Sequence, residues 1–249
     1  MDKRYLFQGH AIAAAAQFRR FKDQELHVDN CLKNVSAAVP AGGGCIASSS
    51  GRQEIKNGED ILFAFDSASA TVTGDYLDPH AAFLQTMPDC RKEELGVVTA
   101  CEAVLQNLSV LDRFFVGNLR SQLTAEDPRN GAPVRFFARK PPLIEGVVLE
   151  RRPIQVVIET DELERPFASA DKCTVTSIVR VIQFPQGIPP GVTVVSNNVL
   201  KVDNFGLIFF GELVTGEITR RLTLLRFQLG SNTGGSSCCG ESKPNGETT

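Results

Sequence analysis

The chain reads as an all-β protein, a two-layer sandwich or jelly-roll-like pair of sheets with few short helices, built as one domain or as two related β units. Three observations predict this. Apolar residues recur with period two in short segments, glycine and proline interrupt the chain at close intervals, and one apolar motif occurs twice.

The period-two spacing is clearest in Ile154-Gln155-Val156-Val157-Ile158-Glu159, where positions 154, 156 and 158 share a face. Ile61, Phe63 and Phe65 repeat it. The interruptions are Pro40 with Gly42-Gly43-Gly44, Asn57-Gly58, Gly74-Asp75, Asn130-Gly131, Pro141-Pro142, Pro185 to Gly191, and Gly230 onward. Such breaks leave room for strands and little room for long helices.

The repeated motif is Leu111-Asp112-Arg113-Phe114-Phe115-Val116-Gly117-Asn118-Leu119 and Phe205-Gly206-Leu207-Ile208-Phe209-Phe210-Gly211-Glu212-Leu213. Each copy has a phenylalanine two before a glycine and a leucine two after it. Strand-like segments precede both copies, Val97 to Val104 and Val175 to Val181. Duplication and a shared β propensity account equally well for the likeness. Leu207 to Phe210 is apolar at every position, which predicts a central strand covered on both sides, with a similar place for Phe114-Phe115-Val116. In the last strand Leu222 and Leu224 lie on one phase and Leu225, Phe227 and Leu229 on the other. That flip predicts a β-bulge between Leu224 and Leu225.

Helix signals are few. Asp78-Pro79-His80-Ala81-Ala82-Phe83-Leu84-Gln85 has a capping residue followed by proline, and Asp89 to Leu95 allows one or two turns before Gly96. The alanine run at 13–16 favours helix by propensity, but its flanks lean it towards strand. The expected organisation is a β-rich unit over 1–130, a second over 131–230 that can pack with the first as one domain, and a disordered tail over 231–249. The tail contains no leucine, valine, isoleucine or aromatic residue, so it has nothing to bury.

Composition excludes several function classes. Lysine and arginine number 26 against 29 acidic residues, so no global field attracts a polyanion and nucleic-acid binding is disfavoured. Sixteen phenylalanines, two tyrosines and no tryptophan supply core bulk without the polar-edged rings that suit wet or sugar-binding surfaces. No apolar run is long enough for a helical membrane span. The apolar start of the chain is broken by Gln8, Gly9 and His10 and lacks a cleavage site, which argues against export. Seven cysteines without a Cys-x-x-Cys pair leave at least one free thiol in a monomer and point to a reducing, cytoplasmic setting.

The chemistry-bearing constellations are weak. Ala41-Gly42-Gly43-Gly44-Cys45-Ile46-Ala47-Ser48-Ser49-Ser50-Gly51-Arg52 reads as a flexible surface loop, because Gly44 and Gly51 enclose six residues and no Lys-Ser/Thr follows, as a phosphate-binding loop requires. Cys45 needs a base to become a nucleophile, and only His10, His27 and His80 are available. His27-Val28-Asp29 and Asp75-Tyr76-Leu77-Asp78-Pro79-His80 are the nearest approach to metal ligands, and turn and capping chemistry explains the second. The doublets Arg19-Arg20, Arg151-Arg152 and Arg220-Arg221 point to opposite faces of a strand and suit edge protection better than anion binding. Cys238-Cys239 in the tail read as exposed thiols.

No catalytic, cofactor-binding or metal-binding residue is assigned. The leading expectation is a non-enzymatic β-scaffold that binds a protein partner or associates with itself. The alternative is a hydrolase or isomerase of unfamiliar type, with a site near the Gly42 to Arg52 loop.

Overall fold

The computed structural model describes residues 7–16, 34–77, 96–128, 133–164, 174–216 and 219–230. Within them the chain is all-β, and every strand pairing is antiparallel. The tail, the 129–132 segment and the helix signals at 78–95 fall outside the described residues.

The first strands are β1 (His10–Ala14), β2 (Val35–Ala38), β3 (Gly44–Ser50), β4 (Gln53–Asn57), β5 (Asp60–Phe65) and β6 (Ser67–Tyr76). Two strands of 14 residues follow, β7 (Val97–Val110) and β8 (Phe114–Asp127), joined by a tight turn. Next come β9 (Arg135–Phe137), β10 (Leu143–Glu145), β11 (Val147–Leu149) and β12 (Arg152–Ile158). A single helical turn, α1 (Asp161–Glu164), precedes β13 (Thr174–Ser177), β14 (Val179–Gln183), β15 (Val192–Ser196), β16 (Val199–Val202), β17 (Gly206–Thr215) and β18 (Arg220–Leu229).

The β7–β8 hairpin is the spine. On its β7 side lie β6 and then β3, with β5 and β4 near the turn; along its β8 side lie β9, β10 and β11, followed by β12 and β14. A second sheet places β17 between β18 on one side and β13 and β16 on the other, with β15 beyond β16. A two-stranded ribbon of β1 and β2 makes a third, small sheet. The alanine run therefore contributes a strand at His10–Ala14, as its flanks suggested.

One core cluster draws residues from both sides of position 130, including Ile55, Phe65, Phe114, Val116, Ile154, Ile178, Ile208 and Phe210. The two motif copies meet in it. Phe114 of the first copy lies 6.1 Å from Phe210 of the second and 5.1 Å from Phe227 on β18. Their burial patterns agree: Phe114, Val116 and Leu119 are buried, as are Ile208, Phe210 and Leu213, while Phe115 and Phe209 are half-buried. In each copy the neighbouring strand is broken opposite the glycine, by Gly146 between β10 and β11 and by Ile178 between β13 and β14. The connectivity differs, because the broken neighbour follows the first copy and precedes the second.

Ile178 marks a corner between sheets. Residues 174–177 pair with β17, whereas residues 179–183 pair with β12 in the other sheet. The Ile178 amide donates to the Gly211 carbonyl at 2.9 Å. Gly211 has φ +58, and a Cβ there would lie 2.8 Å from Ile178 Cγ1 and Val179 Cγ2, so the corner needs glycine. Arg113 ties three hairpin ends: it bonds Glu150 through Nε at 2.6 Å and donates from Nη2 to the Asp203 carbonyl at 2.9 Å.

Four sequence expectations need correction. The segment 42–52 is not a loop throughout, because residues 44–50 pair with β6 in unbroken register. Its glycine and serine content masked a strand whose partner supplies the β-forming residues Thr71, Val72 and Thr73. Gly74-Asp75 is no turn; both residues lie inside β6, and Gly74 sits against the Phe7 ring, 2.7 Å from where a Cβ would be. Ile61 does not share a face with Phe63 and Phe65, because the β4–β5 register shifts by one residue at Leu62 and leaves Ile61 36% exposed. Nor does β18 bulge between Leu224 and Leu225, since its register with β17 is constant from Arg220 to Leu229. Its mixed phase instead reflects apolar contact on both faces, with Leu222, Leu225, Phe227 and Leu229 all packed against the core.

Candidate functional site

The feature that stands apart chemically is the outer edge of β3. Its seven residues, Gly-Cys-Ile-Ala-Ser-Ser-Ser, pair with β6 on one side, from Gly44 opposite Gly74 to Ser50 opposite Ala68. Among the described residues no strand pairs with the other side. An unpaired row of N–H and C=O groups is a template for another strand, so proteins blunt such edges with charge, proline, bulges or shortness.

The other edges among the described residues carry such devices. Glu54 and Lys56 charge β4, and its register with β5 shifts. On β14, Arg180 pairs with Glu159 at 3.1 Å. The β15 register shifts between Val194 and Ser196, and β13 is only four residues long. Arg220, Arg221 and Arg226 line β18. In contrast β3 has no charge, no proline and no register shift. Both of its faces reach solvent: Cys45, Ile46 and Ala47 are exposed, Ile46 at 41%.

Charges gather just past its end. Arg52 bonds the Glu54 carboxylate through Nε at 2.8 Å and Nη2 at 2.6 Å, and Lys56 reaches the other oxygen at 2.8 Å. These hydrogen bonds from Lys56 and Arg52 hold the Glu54 carboxyl below its ordinary range. The charge screen begins where β3 stops.

The residues singled out by sequence are not brought together. Cys45 lies opposite Thr73 on the open edge, while His10 is on β1 opposite Ala38. Cys101, on β7, packs with Ala11, Ala37, Ala70 and Val72, and burial raises its thiol above the ordinary range despite a hydrogen bond from the His10 backbone. Asp75 is exposed near the end of β6, and its Oδ1 accepts from the neighbouring Tyr76 amide at 2.8 Å. His27, Asp29, Asp78, His80, Arg19, Arg20, Cys238 and Cys239 lie outside the described residues. Among the described residues no three His, Cys, Asp or Glu side chains converge on a metal position.

The described arginine doublets are tied into the structure. Arg220 Nη1 donates to the carbonyls of Glu162, at 3.2 Å, and Leu163, capping α1, and its guanidinium lies 5.0 Å over Phe136. Burial lowers its pKa from the usual value. Arg152 donates to the Gln186 carbonyl at 3.1 Å, and Arg151 occupies a hairpin turn.

A shallow depression beside β13, lined by Val175, Ser177, Asn198, Phe209 and Glu212, has its polar groups committed elsewhere. Asn198 Nδ2 donates to the Phe210 carbonyl at 3.2 Å, Ser177 Oγ to the same oxygen at 3.3 Å, and Glu212 holds Arg226 at 2.6 and 2.7 Å. The two bonds to the Phe210 carbonyl, from Ser177 at the end of β13 and Asn198 just before β16, span the gap between those strands.

Sequence reasoning placed its alternative site near residues 42–52 as a loop, whereas residues 44–50 form a strand. The signal it lacked was electrostatic: no charged residue occurs between Lys33 and Arg52. No protein-family model, curated protein or solved structure matches the chain. No helix among the described residues is long and apolar enough to cross a membrane.

Proposed function

We propose that the chain is a non-enzymatic binding or assembly protein that accepts an extended strand along the free edge of β3. One observation carries this reading: β3 alone among the described edges lacks every device that prevents strand addition. In strand addition the main-chain groups supply affinity and the alternating side chains supply register. Small side chains at Ala47, Ser48 and Ser49 leave the backbone accessible, and Ile46 offers one apolar contact. The exposed Cys45 on that edge suits a reducing compartment such as the cytoplasm, where the thiol stays free.

Two measurements on the full chain test it. In dilute, monomeric protein the β3 amides that point away from β6 exchange with solvent far faster than their inward neighbours. Uniform protection of all seven would mean the edge is already closed, and the reading fails. Labelled, uncharged, extended heptapeptides, among them the β3 sequence, bind the chain, and Ala47→Lys removes that binding. Failure of every peptide to bind would equally end the proposal.

A further inference from the structure

We infer that the strand added at β3 is the β3 of a second copy of this chain, in antiparallel register centred on Ala47. The inference rests on the strand-addition reading above and specifies its occupant.

Geometry restricts the choice of register. Two sheets joined edge to edge by a two-fold axis keep side chains on the same face opposite one another, since successive residues alternate faces. The residue on the axis must then face its own twin. Only a centre at Ala47 engages all seven residues from Gly44 to Ser50. In that register Gly44 opposes Ser50, Cys45 opposes Ser49, Ile46 opposes Ser48, and Ala47 opposes Ala47 of the second copy. Each pair sets a small side chain against a small one, except that Ile46 meets a serine. Directly opposed residues lie about 4.5–5.5 Å apart at Cβ, which these side chains tolerate without displacing the backbone.

Charge favours the same arrangement. The strand itself places no like charges opposite each other. Its two ends differ in charge: past the Ser50 end Arg52 is matched by Glu54 at 2.6 Å and Asp66 at 3.9 Å, whereas exposed Asp75 adjoins Gly74 at the Gly44 end. Antiparallel order puts the Asp75 carboxylates of the two copies at opposite ends of the seam, each facing the charge-balanced end of the other copy. Parallel order would set like ends together, at a cost that salt only partly screens.

Edge pairing over seven residues buries less than the roughly 1,200–2,000 Å² of a stable interface, so the dimer is of the transient, concentration-dependent class. The half-buried row of Ser69, Thr71 and Thr73 on β6 would then continue across the axis, making one sheet from two chains.

Sedimentation equilibrium of the full chain, from low micromolar to millimolar, tests this. The native protein should show a reversible monomer–dimer equilibrium. Ala47→Lys and Ala47→Glu should each stay monomeric, because each sets a like charge against its twin. An equimolar mixture of the two should dimerise about tenfold or more tightly than either alone. Ala47 is exposed, so unchanged circular dichroism verifies that both variants fold. A native chain that stays monomeric throughout overturns the inference, as does a dimer that both variants leave intact. Were the native chain monomeric while a heptapeptide of another sequence still bound and Ala47→Lys abolished it, the second copy would be wrong and strand addition right. Loss of both behaviours would remove both.

Discussion

The two ends of the β7–β8 hairpin are built from the same pair of strands and held by opposite means. At the turn end, Leu108, Val110, Phe114 and Val116 fill space against Phe210 and Phe227 from the second sheet. At the far end the β1–β2 ribbon lies down on alanines and glycines: Ala11 and Ala37 meet Ala70 and Val72, and Gly9 comes so close that a Cβ would stand 2.6 Å from Thr99 Cγ2. One end is stabilised by volume and the other by the absence of volume. Dispersion rewards both, because close approach of backbones brings as many atoms into contact as interlocked rings do. Their tolerance to substitution should be mirror images.

The largest test is at the turn end. Phe114→Ala should cost about 3–5 kcal/mol in denaturant unfolding, through lost transfer energy and the cavity left among Phe210 and Phe227. A loss below about 1 kcal/mol would mean the two sheets do not depend on this contact. At the far end addition is the damaging change. Gly9→Ala should cost about 1–3 kcal/mol by overpacking against Thr99, Cys101 and Val72. Thr99→Ser removes the nearest methyl, so the double variant should recover part of that loss, and strict additivity would break the comparison.

Smaller effects sharpen it. Arg226 pairs with Glu212 and covers the outer face of Phe209 at 3.7 Å, outside the volume-filled core. Arg226→Lys keeps the charge but loses the fork and much of the stacking, and thermal unfolding should register about 0.5–1 kcal/mol. The last contrast is kinetic. Cys101 beneath the ribbon, its thiol pushed up by burial, should be alkylated by iodoacetamide far more slowly than exposed Cys45, as peptide mass spectrometry would read directly. Equal rates would show that the ribbon opens freely.

Much of this architecture was legible in the sequence. The alternation in residues 154–158 put Ile154 into the core with Val156 and Ile158 against it, and the twin motif marked where two sheets meet. What escaped depends on how strands pair and pack rather than on residue type. The β4–β5 register shift that turns Ile61 outward follows from a pairing, not from its neighbours in sequence. Gly74 looked like a turn because glycine serves turns and close contacts alike, and only the Phe7 ring distinguishes them. The open edge was hidden for a related reason. Glycine and serine in 44–50 have low strand propensity, and β6 and β7 beside them confer the strand.

The Ile178 corner has a consequence for how the molecule comes apart. A single stretch of chain, residues 174–183, serves as a rung in one sheet and then in the other, like a stitch passed through two layers of cloth. Peeling either layer pulls directly on its neighbour. Protection from hydrogen exchange in β12 and in β17 should therefore be lost in the same cooperative opening, even though the two strands belong to different sheets.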